Sequence, residues 1–118
     1  MTAVSAGEKI AFEGVNFHIP DNFTKSDDII DYTKLGSEGK TCVYSNDLNE
    51  TIELTVVSDW MGMSLNDFKC NGAVKKTING HEGWSYNQKS LYYFGYISDD
   101  KGILVGVSNQ TYLNEIVQ

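Results

Sequence analysis

Asn79-Gly80 separates two short strand-like segments, Ala73–Ile78 and His81–Lys89, and is the strongest hairpin signal in the chain. A two-residue hairpin turn needs positive φ angles, and Asn-Gly supplies them at little cost. A second hairpin follows directly, with Leu91–Ser98 and Ile103–Ser108 flanking Asp99-Asp100-Lys101-Gly102. Upstream, Thr41–Ser45 and Thr51–Asp59 flank the turn Asn46–Glu50. Within the second of these, Ile52, Leu54 and Val56 alternate with Thr51, Glu53 and Thr55, the period of a half-buried strand. Val15-Asn16-Phe17-His18-Ile19 alternates likewise and stops at Pro20, which ends a strand or confines it to an edge. Strands joined by turns this short are antiparallel. With no long helices between them, a doubly wound parallel sheet is excluded.

Helix signals are brief. Lys25–Leu35 predicts a short helix: Ile29, Ile30, Tyr32 and Leu35 would share a face, Ser26 would cap it, and Asp27 and Asp28 would meet the positive end of its dipole. Gly36–Lys40 would then be a loop. Met63-Ser64-Leu65-Asn66-Asp67-Phe68 predicts a second helix, with Ser64 and Asp67 as a near capping box and Met63 and Phe68 as a hydrophobic staple, ended by Asn71-Gly72. A third, capped by Asn109, would carry Tyr112, Leu113, Ile116 and Val117. The expected class is therefore α+β: a single twisted antiparallel sheet of six to seven strands with short helices packed on it, on one face or both. Residues 15–118 would form that single domain, preceded by a flexible N-terminal segment, residues 1–14.

Composition narrows the functions. The chain's 118 residues suffice for one core without metals or disulfides. Its nine basic residues are all lysine, against 16 acidic ones, for a net charge of −7. Nucleic-acid binding needs phosphate neutralisation, and arginine is the usual reader, so no nucleic-acid partner is expected. The same balance disfavours adhesion to anionic membranes. No apolar run reaches the ~18–20 residues of a spanning helix, and the N-terminus lacks the basic and apolar regions of a signal peptide, so no membrane insertion is expected. Three N-x-T triplets, starting at Asn22, Asn49 and Asn109, lean toward an extracytoplasmic, envelope-associated location. Turn and cap duty for the same residues, in a cytoplasmic protein, is the alternative.

The strand Leu91–Ser98 puts Leu91, Tyr92, Tyr93, Phe94, Tyr96 and Ile97 on both faces. One face is then a binding platform, or the strand is central and covered on both sides; coverage is the favoured reading. Counting the Asp99–Gly102 turn sets Tyr96 opposite Val105 or Ile97 opposite Ile103, and a one-residue slip swaps faces. Tyr93-Phe94-Gly95-Tyr96-Ile97 faintly resembles the aromatic strand of an RNA-recognition motif, but it lacks the leading basic residues.

Reactive residues are few. His18 and His81 have no ligand-spaced partners, and neither Asp27, Asp28 and Asp31 nor Asp47 and Asn49 match a calcium loop, so neither metal nor cofactor is expected. Cys42 and Cys70 form either a disulfide or two buried thiols.

Val15-Asn16-Phe17-His18-Ile19-Pro20-Asp21-Asn22-Phe23 resembles the first strand of PsbP-like domains, and the later order of hairpins and short helices is similar. The resemblance implies a helix–sheet–helix sandwich that acts by binding other proteins, not by catalysis. It carries over no functional residue. The expected function is thus a non-enzymatic binding or accessory domain near the cell envelope, with another protein as partner. Its contact surface would use Trp60, Met61 and Met63 together with whichever of Tyr92, Tyr93 and Tyr96 the sheet leaves exposed. The rival is a small-ligand or enzymatic pocket between sheet and helices built on Tyr86, His81 and Glu82.

Overall fold

The computed structural model describes residues 7–34, 37–58, 69 and 72–118. Nine strands follow one another: β1 (Glu8–Phe12), β2 (Val15–Ile19), β3 (Thr24–Lys34), β4 (Ser37–Ser45), β5 (Thr51–Val57), β6 (Val74–Ile78), β7 (His81–Gln88), β8 (Leu91–Ser98) and β9 (Lys101–Val107). A 3₁₀ turn (Gln110–Tyr112) and one turn of helix, α1 (Leu113–Ile116), complete the fold. Strands β3 to β9 build one seven-stranded antiparallel sheet in the order β3-β4-β5-β9-β8-β7-β6, and β1 pairs with β2 in a separate hairpin.

The antiparallel sheet agrees with the turn signals, but the α+β class is overturned. Among the described residues the molecule is mostly β, and its helix is confined to the C-terminal turns. Lys25–Leu35 is not a helix; Thr24–Lys34 is the longest strand, and its far end pairs as Thr33 with Glu38 and Lys34 with Ser37. The expected loop Gly36–Lys40 is therefore mostly strand. Isoleucine, tyrosine and threonine favour a pleated surface, and a partner strand outweighs one cap and two dipole charges worth under ~1–2 kcal/mol each. Glu8–Phe12, assigned to a flexible segment by sequence, is a strand with Phe12 buried. The staple helix lies outside the described residues apart from Lys69. The PsbP-like helix–sheet–helix sandwich is likewise not what the described residues form. Among them, no helix is long and apolar enough to cross a membrane.

Turn chemistry sets the registers. Glu13-Gly14, Asn79-Gly80 and Asp99-Asp100 each carry two positive φ angles, the twist-compatible geometry for two-residue hairpins. The turn is Asp99-Asp100, one residue earlier than the two-residue loop that would set Tyr96 opposite Val105. Lys101 and Gly102 join β9, so Tyr96 faces Ile103, Phe94 faces Val105 and Tyr92 faces Val107.

The core lies on one face of the sheet. Cys42, Ile52, Leu54, Val56, Phe94, Tyr96, Ile103, Val105 and Val107 point inward from four adjacent strands, β4, β5, β9 and β8, and the β1–β2 hairpin and α1 cover them with Phe12, Phe17, Ile19, Leu113 and Ile116. Phe17 and Phe94 are fully buried, each contributing about 1.5–3 kcal/mol of transfer free energy. The C-terminal turn is fastened to this cover at several points. Phe17 bridges Val117 through the backbone. Asn79 Nδ2 donates to the carbonyls of Asn114 (2.9 Å) and Val117 (2.5 Å). Tyr112 Oη donates to Glu50 Oε1 at 2.6 Å, and His18 Nδ1 lies 3.2 Å from Glu115 Oε2.

Candidate functional site

Strand β8 lies inside the sheet, and its rings divide by parity. Tyr96 is 1% exposed and belongs to the core, so it cannot serve a contact surface. Tyr92 is half-buried on the same inner face, with Lys76 Nζ 5.6 Å from its ring centre. Tyr93 points the other way. Of the three tyrosines, Tyr92 and Tyr93 are thus left half-buried on opposite faces and Tyr96 is withdrawn, and Trp60, Met61 and Met63 lie outside the described residues.

The outer face is held by ring packing. Tyr93 lies across Gly106 so closely that a Cβ there would meet its Cε1 at 2.5 Å. Tyr86 stacks on Tyr93 with centroids 5.5 Å apart, and Tyr93 Oη donates to Glu53 Oε1 at 3.3 Å. Burial first, and then the Glu53 charge and hydrogen bond, push the Tyr93 hydroxyl up to about 12. Thr41 and Thr55 share a buried hydroxyl hydrogen bond of 2.8 Å. Trp84 lies under two ammonium groups, Lys69 at 5.2 Å and Lys75 at 5.8 Å from its ring centre. Its buried Nε1 has no hydrogen-bond partner among the described residues. Coverage, rather than an open aromatic platform, describes the core side of β8, while its outer rings are half-buried.

The residues of the rival pocket do not converge. Strand alternation places His81 on the inner face, and Glu82 and Tyr86 on the outer face. Glu82 instead pairs with Lys75 at 2.7 Å. His81 tilts over Tyr96 at 4.7 Å and sets Nε2 2.6 Å from the Gln118 carbonyl. A polar cleft of about 250 Å³ opens beside them, lined by Gly14, Asn16, His81, Tyr96, Lys101 and Gln118 among others. It is open and polar, and smaller than the ~300–1,000 Å³ of typical small-molecule sites. Burial holds the Tyr96 hydroxyl far above the usual tyrosine range. Cys70 lies outside the described residues, and Cys42 is a buried free thiol. Its burial pushes the thiol up to about 11, against the lowering effect of Lys25, so it is neutral and poorly nucleophilic at neutral pH. The asparagines of the N-x-T triplets do turn and cap work: Asn22 and Asn49 take positive φ, and Asn109 Oδ1 accepts from Thr111 N.

The two edges of the sheet differ. Strand β6 is five residues long, and Lys75 and Lys76 reach from it over opposite faces, onto Trp84 and Tyr92. Edge lysines of this kind discourage further pairing. Strand β3 is eleven residues long, and no described strand pairs with its outer side. Ile29 and Ile30 sit next to each other on it, 49% and 56% exposed. As neighbours on a strand they face opposite sides of the sheet, so both flanks of this edge are apolar and open. A bulge between Lys25 and Ile29 interrupts the pairing with β4 before them. Beyond them, Asp31 reaches Lys40 at 3.5 Å, between side chains too exposed for the pair to add much. The helical reading of Lys25–Leu35 hides this site by turning both isoleucines inward. The signal that finds it is the run Ile29-Ile30-Asp31-Tyr32-Thr33, rich in β-branched and aromatic residues.

Among the described residues, sheet and edges define a class: a mostly-β domain built on one antiparallel sheet, with one face covered, one edge guarded by lysines and one edge open. No protein-family model, no curated protein and no solved structure matches the chain.

Proposed function

We propose that this is a non-enzymatic protein-binding domain that accepts an extended segment of a partner as an added strand along β3. The carrying observation is the exposure of Ile29 and Ile30, on opposite flanks of the sheet's longest strand, whose outer side no described strand pairs. Strand addition supplies main-chain hydrogen bonds for affinity, and alternate side chains on each flank supply selectivity. The two isoleucines give each flank one apolar anchor, and a segment lying beside them removes both from water.

The test is amide exchange by NMR on the domain with an uncharged extended peptide, Thr-Gln-Val-Val-Gln-Gln-Thr, blocked at both ends. Exchange should slow at the β3 amides that do not bond to β4, with no change along β6. Ile30→Lys should weaken the peptide roughly tenfold, the equivalent of about 1.4 kcal/mol of lost burial. Peptide-induced protection at β6, or none at β3, refutes the proposal.

A further inference from the structure

We infer that the strand added at β3 is basic and comes from a different protein: a segment with two adjacent apolar residues flanked by lysine or arginine, not a second copy of this chain. The inference rests on the strand-addition reading and adds the partner's chemistry to it. The stretch Asp27–Asp31 carries three carboxylates, two isoleucines and no cation. Lys25 Nζ lies 5.9 Å from the centre of the Phe12 ring, and Lys40 reaches only Asp31, through an exposed 3.5 Å contact that a partner's cation can replace.

Self-pairing can be checked register by register. Two copies of β3 running antiparallel, with Ile29 of each opposite Ile30 of the other, match both apolar residues. That register also places Asp28 opposite Asp31 twice, and like charges directly opposite destabilise a strand pair. Setting Ile29 opposite Ile29 puts Asp27 opposite Asp31 twice. Setting Ile30 opposite Ile30 leaves each Ile29 facing Asp31. A net charge of −7 adds long-range repulsion between copies. The complementary antiparallel strand instead reads cation opposite Asp31, apolar opposite Ile30 and Ile29, and cation opposite Asp28. It is drawn to the acidic domain before contact, as well as held after it.

Three blocked peptides of identical length test this: Thr-Lys-Val-Val-Lys-Lys-Thr, Thr-Gln-Val-Val-Gln-Gln-Thr and Thr-Glu-Val-Val-Glu-Glu-Thr, titrated onto the labelled domain at low salt. The lysine peptide should bind about tenfold more tightly than the glutamine peptide and the glutamate peptide least. The three should converge near 1 M salt, where the screening length falls to about 3 Å. Asp31→Lys, at an exposed position that the core does not use, should narrow or reverse the order. Equal binding of all three peptides at β3 overturns the charge inference and leaves strand addition standing. Protection of β3 by none of them overturns both. Sedimentation of the domain alone at low salt should give a monomer, and a dimer broken by Ile30→Lys would overturn the exclusion of self-pairing.

Discussion

Gly106→Ala isolates the packing of the outer face. At this position the backbone is extended, so alanine meets no conformational strain, and replacing an interior strand glycine ordinarily gains about 0.5–1 kcal/mol. Here the new methyl would sit 2.5 Å from Tyr93 Cε1 and 2.9 Å from Cδ1, well inside contact distance. The ring has to swing away. That breaks its stack on Tyr86, worth about 0.5–1.5 kcal/mol, and its hydrogen bond to Glu53, worth about 1 kcal/mol at a half-exposed site. An off-rotamer side chain adds about 1 kcal/mol. The net expectation is a loss of about 2 kcal/mol, or about 5–10 °C in Tm for a chain of this size. In a Tyr93→Ala background the obstacle is gone, and Gly106→Ala should be neutral or mildly stabilising. Urea unfolding of the four proteins of this cycle, followed by tryptophan fluorescence, gives the coupling directly. An equal cost of Gly106→Ala in both backgrounds would refute the idea that the glycine is there to seat the tyrosine ring.

Two further outcomes follow from the same geometry. Asn79→Gly keeps the left-handed turn but removes both amide hydrogen bonds to Asn114 and Val117, so it should cost about 1–2 kcal/mol and speed amide exchange around residues 113–117; unchanged exchange there would show that the side chain holds nothing. Asn79→Ala should cost roughly 1 kcal/mol more, because φ is +49° at that position. Alkaline pH should destabilise the fold: Cys42 is held up to about 11, Tyr93 up to about 12, and Tyr44 and Tyr96 are also raised, each chiefly by burial. All four are neutral when protonated and their folded values exceed the unfolded ones, so stability is full below about pH 9 and falls as pH rises through these values, with Cys42 alone contributing on the order of 2–3 kcal/mol. Urea midpoints between about pH 8 and pH 11 that do not move, or that move equally in Cys42→Ala, would contradict this.

The sheet was legible where turn chemistry and alternation are local. Asn79-Gly80, the Ile52-Leu54-Val56 alternation and the Val15–Ile19 strand all appear in the structure as read. The segment Lys25–Lys34 was not, because Ser26, Asp27 and Asp28 compose a genuine helix-start pattern, while the strand is imposed by pairing with β4 across the connection at residues 35–36. Tertiary contacts override propensity at exactly such short, marginal segments. The faces of β8 stayed open for a different reason: they depend on whether Lys101 belongs to the turn or to β9, a choice of two residues that no local signal makes. The β3 edge was invisible in principle. Whether a strand ends a sheet depends on the order of all the others, and that order places β9 beside β5 and β6 at the far margin.

That order has a consequence for how the molecule comes into being. Strands β3–β5 and β6–β9 are two meanders, each made of neighbours in sequence, and their strands pair along one seam, where Ile52 faces Val107 and Val57 faces Gly102. On the ribosome, the first meander emerges with the inner margin of β5 bare, and it stays bare until about fifty further residues have been translated. Closing a loop of that length is entropically slow compared with zipping a hairpin. The nascent chain therefore carries a sticky margin throughout that interval, and the domain is sealed only when its last strand is delivered to the middle of the sheet.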